Sequence, residues 1–155
     1  MKPYADTNFF TRLYLDLPES AAADRALATA LRGDSPPLPI TWLHRLELIN
    51  AFEFSVWLAR QGGHPMVTPE KAAIAHASFR DDLAAETFLR PVRTEPSDHE
   101  RHFEEIATRH TARHGFRSYD ILHVSLALAL RCDCFLTFDV RARKLAALEG
   151  LKVTV

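Results

Sequence analysis

Short apolar runs alternate along the chain with stretches in which apolar positions return every three or four residues, the pattern of strands handing over to amphipathic helices. Residues 2–5 form the first run and stop at Asp6. Phe9, Phe10, Leu13 and Leu17 then carry helical spacing, with the helix placed over Thr7 to Asp16. A second helix is expected from Glu19 to Leu31, broken by Gly33-Asp34-Ser35-Pro36-Pro37. A strand at 38–41 leads into a long helix from Trp42 to Ala59, which Gly62-Gly63-His64-Pro65 ends. Thr68 as cap and Pro69 at the first helical position open a helix reaching about Glu86. Residues 89–92 read as a strand that Pro91 confines to an edge or a strand end. Pro96-Ser97-Asp98 starts a helix towards His114, which Gly115 closes.

The stretch Arg117 to Asp139 is the most apolar of the chain: a helix beginning near Asp120, then a strand at 134–138. A helix over Val140 to Leu148, a stop at Gly150 and a strand at 151–155 complete the pattern. Strands separated by helices predict a single α/β domain over residues 1–155, with a mainly parallel central sheet flanked by helices. In such sheets ligands bind beyond the carboxyl ends of the strands. Asp6 and Asp139 fall at two of those ends.

Composition narrows the classes without choosing one. The chain has 155 residues, 47% hydrophobic and 25% charged, with a formal net charge of −1, so gross charge neither supports nor excludes a polyanionic partner. Only four of the nineteen basic residues are lysine, the rest being arginine, which suits phosphate contacts and also follows from a biased base composition. Cys132 and Cys134 lack the spacing of a zinc site and are expected as buried free thiols. The opening MKPYADTNFF has no basic segment leading into a long apolar run, and Ile121 to Leu130 falls short of the roughly 20 residues that span a bilayer. A cytoplasmic protein that does not use the membrane is expected.

Four carboxylates carry the chemistry. Asp6 and Asp139 point at one rim, Asp120 follows Ser118 in the first turn of the central helix, and Glu47 shares a helix face with Leu43, Asn50 and Phe54. Helix capping alone accounts for Asp6, Asp120 and Asp139 one at a time, and a solvated glutamate is the ordinary fate of Glu47. Taken together they repel, and burying them uncompensated costs several kcal/mol each, so a positive charge is required among them. Hard oxygen donors select Mg²⁺ or Mn²⁺, and such ions promote phosphodiester hydrolysis. An aspartyl-phosphate phosphatase would want a second acid two residues after Asp6, where Asn8 stands.

Tyr4-Ala5-Asp6-Thr7-Asn8, Glu47 within Thr41-Trp42-Leu43-His44-Arg45-Leu46-Glu47, Ser118-Tyr119-Asp120-Ile121-Leu122-His123 and Leu136-Thr137-Phe138-Asp139 resemble, in order and spacing, the four motifs of PIN-domain nucleases. The compact form is similar to VapC-type toxins of prokaryotic type II toxin–antitoxin systems. That resemblance implies a PIN-like fold and an Mg²⁺- or Mn²⁺-dependent endoribonuclease that hydrolyses RNA, is usually a homodimer, and is silenced by a cognate antitoxin. It also implies Asp6, Glu47, Asp120 and Asp139 as catalytic and metal-binding acids, with Thr7, Asn8, Ser118 and Thr137 shaping the site. The alternative is a non-catalytic PIN-fold module that binds protein or RNA. Residues 60–115 match no family signature.

Arg109, Arg113 and Arg117 recur every fourth residue and are expected to line one helix face near Asp120. Arg113 and Arg117 are the candidate phosphate ligands, while Arg109 is read as paired with Glu104 or Glu105. Arg117 is placed to bind the scissile phosphate or to hold a carboxylate. His99, His102, His110 and His114 are read as surface histidines, and His123 as a core histidine bonded to backbone or to a carboxylate. Phe52, Phe54 and Trp57 suit RNA bases, a core, a dimer partner or an antitoxin peptide.

Overall fold

The computed structural model describes residues 1–63 and 65–155; His64, in the loop expected to end the long helix, lies outside the described residues. The chain runs β1 (Pro3–Ala5), α1 (Thr7–Tyr14), α2 (Ser20–Ala30), β2 (Leu38–Ile40), α3 (Trp42–Arg60), α4 (Pro69–Ala85), β3 (Leu89–Pro91) and α5 (Pro96–Ile106). A π-helical turn at Ala107–Thr111 leads into α6 (Ala112–His114), followed by α7 (Ser118–Ala129), β4 (Cys134–Leu136), α8 (Val140–Leu148) and β5 (Lys152–Thr154).

Every strand pair is parallel, as expected of crossovers through helices, but the strands form two ladders rather than one. The larger has the order β1-β4-β5 and the smaller is β2-β3. β1 lies beside β2 without a ladder between them. At that seam sits His44. Its Nδ1 faces the Thr41 amide at 3.1 Å, so its Nε2–H donates to the Ala5 carbonyl at 2.8 Å. A side chain thus satisfies the last carbonyl of β1, where a fully closed sheet would use a strand amide.

Helices cover both faces. Phe9, Phe10, Leu38, Phe52 and Phe79 belong to one buried cluster, and Tyr4, Leu43, Val124, Leu126, Phe135 and Leu145 to another. The central helix α7 buries Ile121, His123, Val124, Ser125, Leu126 and Ala127, and β4 is buried throughout. Cys132 and Cys134 are free and buried, and burial pushes the Cys132 thiol up to about 11. Among the described residues no helix is long and apolar enough to cross a membrane.

The helix expected to run on to His114 departs from plain α geometry. The π turn takes up an additional residue, which rotates everything after it. Gly115, at φ +67°, then ends α6 in the left-handed conformation that glycine tolerates. Arg117 lies beyond that stop, at the cap of α7. The three arginines therefore do not form one ridge.

Candidate active site

Each of the acids is fixed by a local cap or helix position. Asp6 follows β1 and caps α1, accepting the Phe9 amide at 2.8 Å. Asp139 caps α8, accepting the amides of Arg141 and Ala142 at 2.7 and 3.1 Å. Asp120, in the first turn of α7, accepts the Arg117 amide at 3.2 Å. Glu47 comes from the second turn of α3. Capping and convergence are therefore compatible: Asp6, Glu47, Asp120 and Asp139 all line one cavity of about 100 Å³, together with Thr7, Asn8, Tyr119 and His123.

Two hydroxyls knit this rim. Thr137, on the segment after β4, donates to Asp6 at 2.5 Å and accepts the Asp139 amide at 2.9 Å. Thr7 donates to Glu47 Oε2 at 2.6 Å. The same oxygen meets His123 Nε2 at 2.6 Å, while His123 Nδ1 meets the Tyr4 hydroxyl at 2.9 Å.

Burial sets the electrostatics. It pushes the Asp6 carboxyl up to about 6 despite His123 and the Thr137 hydroxyl, which favour the charged form. Asp120 is also raised, by burial first and by Asp139, against the Arg117 amide. Burial acts to raise Glu47 as well, but the hydrogen bond and charge of His123 and the Thr7 hydroxyl outweigh it and hold the carboxyl below its usual range.

Among the described residues, no three His, Cys, Asp or Glu side chains stand close enough to hold a metal ion as they are. Several of the acid oxygens are engaged within the protein: Asp6 spends both on Phe9 and Thr137, and Glu47 has one turned to His123 and Thr7. The donor set still fits a hard cation. Four carboxylates face one small cavity, and Asn8, on its wall, has a buried Oδ1 with no hydrogen-bond partner.

Ser118 is exposed and does not line the cavity. Arg113 and Arg117 are exposed, and Arg117 is close enough to favour the charged form of Asp120. Arg109, within the π turn, pairs with Glu149 at 2.8 Å, not with Glu104 or Glu105. His110 shares that glutamate at 2.6 Å, and His99 is buried, so neither is an ordinary surface histidine. Phe52 is core, whereas Phe54 and Trp57 are half exposed and stacked at 5.2 Å. Phe54 walls a second cavity of about 440 Å³ that shares Thr7, Glu47 and Tyr119 with the acidic one.

Sequence reasoning allowed His123 a carboxylate partner but did not place it among the four acids, although a signal existed. It stands three residues after Asp120, on the same helix face, as the one basic group in an otherwise apolar run. Tyr4 and Tyr119 carried no comparable signal.

Residues 4–148 match the PIN domain family model. No curated protein matches the sequence. Among solved structures, a chain of VapBC2 from Rickettsia felis, crystallised with a DNA fragment from its promoter, superposes with a TM-score of 0.66 at 15% identity, covering 99% of this chain and 98% of that one. VapC20 of Mycobacterium tuberculosis, a toxin that cleaves the sarcin–ricin loop, gives a TM-score of 0.63 at 19% identity, covering 99% and 100%.

Proposed function

The chain belongs to the PIN-domain family, and from that premise we propose that it is a divalent-metal-dependent endoribonuclease and the toxin of a type II toxin–antitoxin pair. The observation that carries this reading is the meeting of Asp6, Glu47, Asp120 and Asp139, drawn from four separate elements, on one cavity. The similarity to VapC20 and VapBC2 supports the choice of RNA as substrate and of an antitoxin as partner. Action as a homodimer in the cytoplasm belongs to the same reading.

The four carboxylates would hold Mg²⁺ or Mn²⁺, which supplies Lewis-acid polarisation of the phosphodiester and a more acidic water. The chain's own groups do the rest. Asp6 and Asp139 are kept at fixed separation by the Thr137 hydroxyl between them. Asp120 is partly open to solvent, so an attacking water can reach it. Exposed Arg117, at the base of the same helix, offers charge for the RNA backbone.

RNA cleavage assayed with Mg²⁺ or Mn²⁺ tests the proposal. Cleavage is expected to stop with EDTA and to fall at least about 100-fold in Asp6→Asn and Asp120→Asn, a typical loss when a group acting in the transition state is removed. Undiminished cleavage in both variants removes the assignment of the acids. Calorimetry separates the non-catalytic alternative, for which the same substitutions leave Mn²⁺ affinity unchanged.

A further inference from the structure

We propose that His123 is a positioning residue, locked by Tyr4, that anchors one oxygen of Glu47 and leaves the other free for a cation. The inference rests on the metal-dependent reading above and adds to it a device for orienting the one acid that no helix cap holds.

The hydrogen bonds determine the direction of the relay. Glu47 as a carboxylate can only accept, so the 2.6 Å contact requires a proton on His123 Nε2. With the ring neutral, Nδ1 is an acceptor and the Tyr4 hydroxyl at 2.9 Å donates to it, whereas a doubly protonated ring would reverse that bond. Tyr4 is fully buried on β1, and a tyrosine hydroxyl, with an ordinary pKa of about 10, keeps its proton at neutral pH and can donate. A chain of donation therefore runs from β1 through α7 to α3. Thr7 adds a second donor to the same Glu47 oxygen. No described residue donates to Oε1.

A space-filling role does not account for this arrangement. His123 is 5% exposed and Tyr4 0%, so each polar atom carries a desolvation cost that their mutual bond and the contacts of His123 Nε2 with Glu47 and, at 3.3 Å, with the Thr7 hydroxyl offset. A leucine would fill the same apolar helix without that cost. What the pair provides is orientation: of the four acids, Asp6, Asp120 and Asp139 accept backbone amides, whereas Glu47 is held by side chains alone. Groups of this kind, which orient a ligand without touching the metal, typically change metal affinity about 10–100-fold when removed.

Two measurements on the full-length chain test the relay. The ring-nitrogen NMR shifts of His123 in metal-free protein are expected to show Nε2 protonated and Nδ1 accepting, and the opposite tautomer overturns the proposal. Calorimetric Mn²⁺ titration is expected to show affinity about 10–100-fold weaker in His123→Leu. His123→Gln, whose amide can replace the Nε2 donor, should recover most of the loss, and Tyr4→Phe should lose a few-fold and show mixed tautomers. Mn²⁺ affinity equal to wild type in folded His123→Leu overturns it. If that variant does not fold, unchanged affinity and tautomer in Tyr4→Phe do so instead. A wild-type protein that binds no Mn²⁺ overturns both this inference and the nuclease reading, whereas normal binding with indifferent variants overturns the positioning role alone.

Discussion

The Thr137 hydroxyl lies between Asp6 and Asp139, giving its proton to the first and taking the amide proton of the second. Thr137 is fully buried, so Thr137→Val keeps the shape but strands a buried carboxylate oxygen and a backbone N–H. Losing a hydrogen bond to a charged group costs about 1.5–3 kcal/mol. Thr137→Val is expected to lower unfolding free energy by that amount in urea melts. Asp6→Asn in the same background should relieve part of the cost. Strict additivity of the two substitutions would contradict direct coupling through this hydroxyl.

Asp6 and His44 give opposing pH dependences. Burial lifts Asp6 to about 6, so the folded state binds its proton more tightly than the unfolded chain. Its contribution to stability therefore falls as pH rises from about 4 to 6, and above that the buried charge weighs on the fold by roughly 3 kcal/mol. Burial, with His123 adding to it, lowers His44 to about 3, so the stability it contributes is complete above about 6.5 and is lost as pH falls towards 3. Between about pH 4 and 6 the two slopes cancel. Asp6→Asn is expected to be more stable than wild type at pH 7.5 without divalent ions. It should then weaken by roughly 1.4 kcal/mol per pH unit below 6.5 as the His44 slope is exposed. Parallel pH profiles of the two proteins in urea melts would refute the assignment.

The arginines divide by what already holds them. Arg109 is paired with Glu149, while Arg113 and Arg117 are exposed, and Arg117 lies close enough to Asp120 to favour its charged form. Arg113→Ala and Arg117→Ala are expected to weaken RNA binding, and each should reduce the salt slope by about 0.7, the value for one neutralised phosphate on a single strand. Arg109→Ala should leave RNA affinity intact and change stability by less than about 1 kcal/mol, since its own side chain is largely solvated. Filter binding across a salt series distinguishes the two groups.

What the sequence revealed follows from how local each signal is. The bounds of α8 were readable to the residue because a capping Asp139 and a stopping Gly150 sit next to it. The acids could be placed on one rim because strand ends and helix starts are local features, and the parallel topology brings them together. At the split of the sheet His44 reaches the Ala5 carbonyl 39 positions away, and nothing near His44 announces that. His123 likewise takes its meaning from Tyr4 and Glu47, 119 and 76 positions distant. The arginine ridge failed for a subtler reason: Ala107–Thr111 contains no glycine or proline to flag the π turn that undoes a four-residue periodicity.

Phe54 and Trp57 stack on each other and are equally exposed, yet they are not equivalent. Phe54 walls the cavity that shares Thr7, Glu47 and Tyr119 with the acids, and Trp57 does not. A base next to the cleaved phosphodiester would meet Phe54 first, and a base stacked on an aromatic ring is worth about 1–3 kcal/mol. Phe54→Ala in the Asp120→Asn background is expected to weaken RNA binding by roughly 5–150-fold, the affinity equivalent of that energy. Trp57→Ala should change it little. Neither substitution creates a buried cavity, so thermal stability should move by less than about 1 kcal/mol in both. Equal loss of RNA affinity from the two would mean that the stacked pair acts as one surface, and the distinction drawn from the cavity wall would fail.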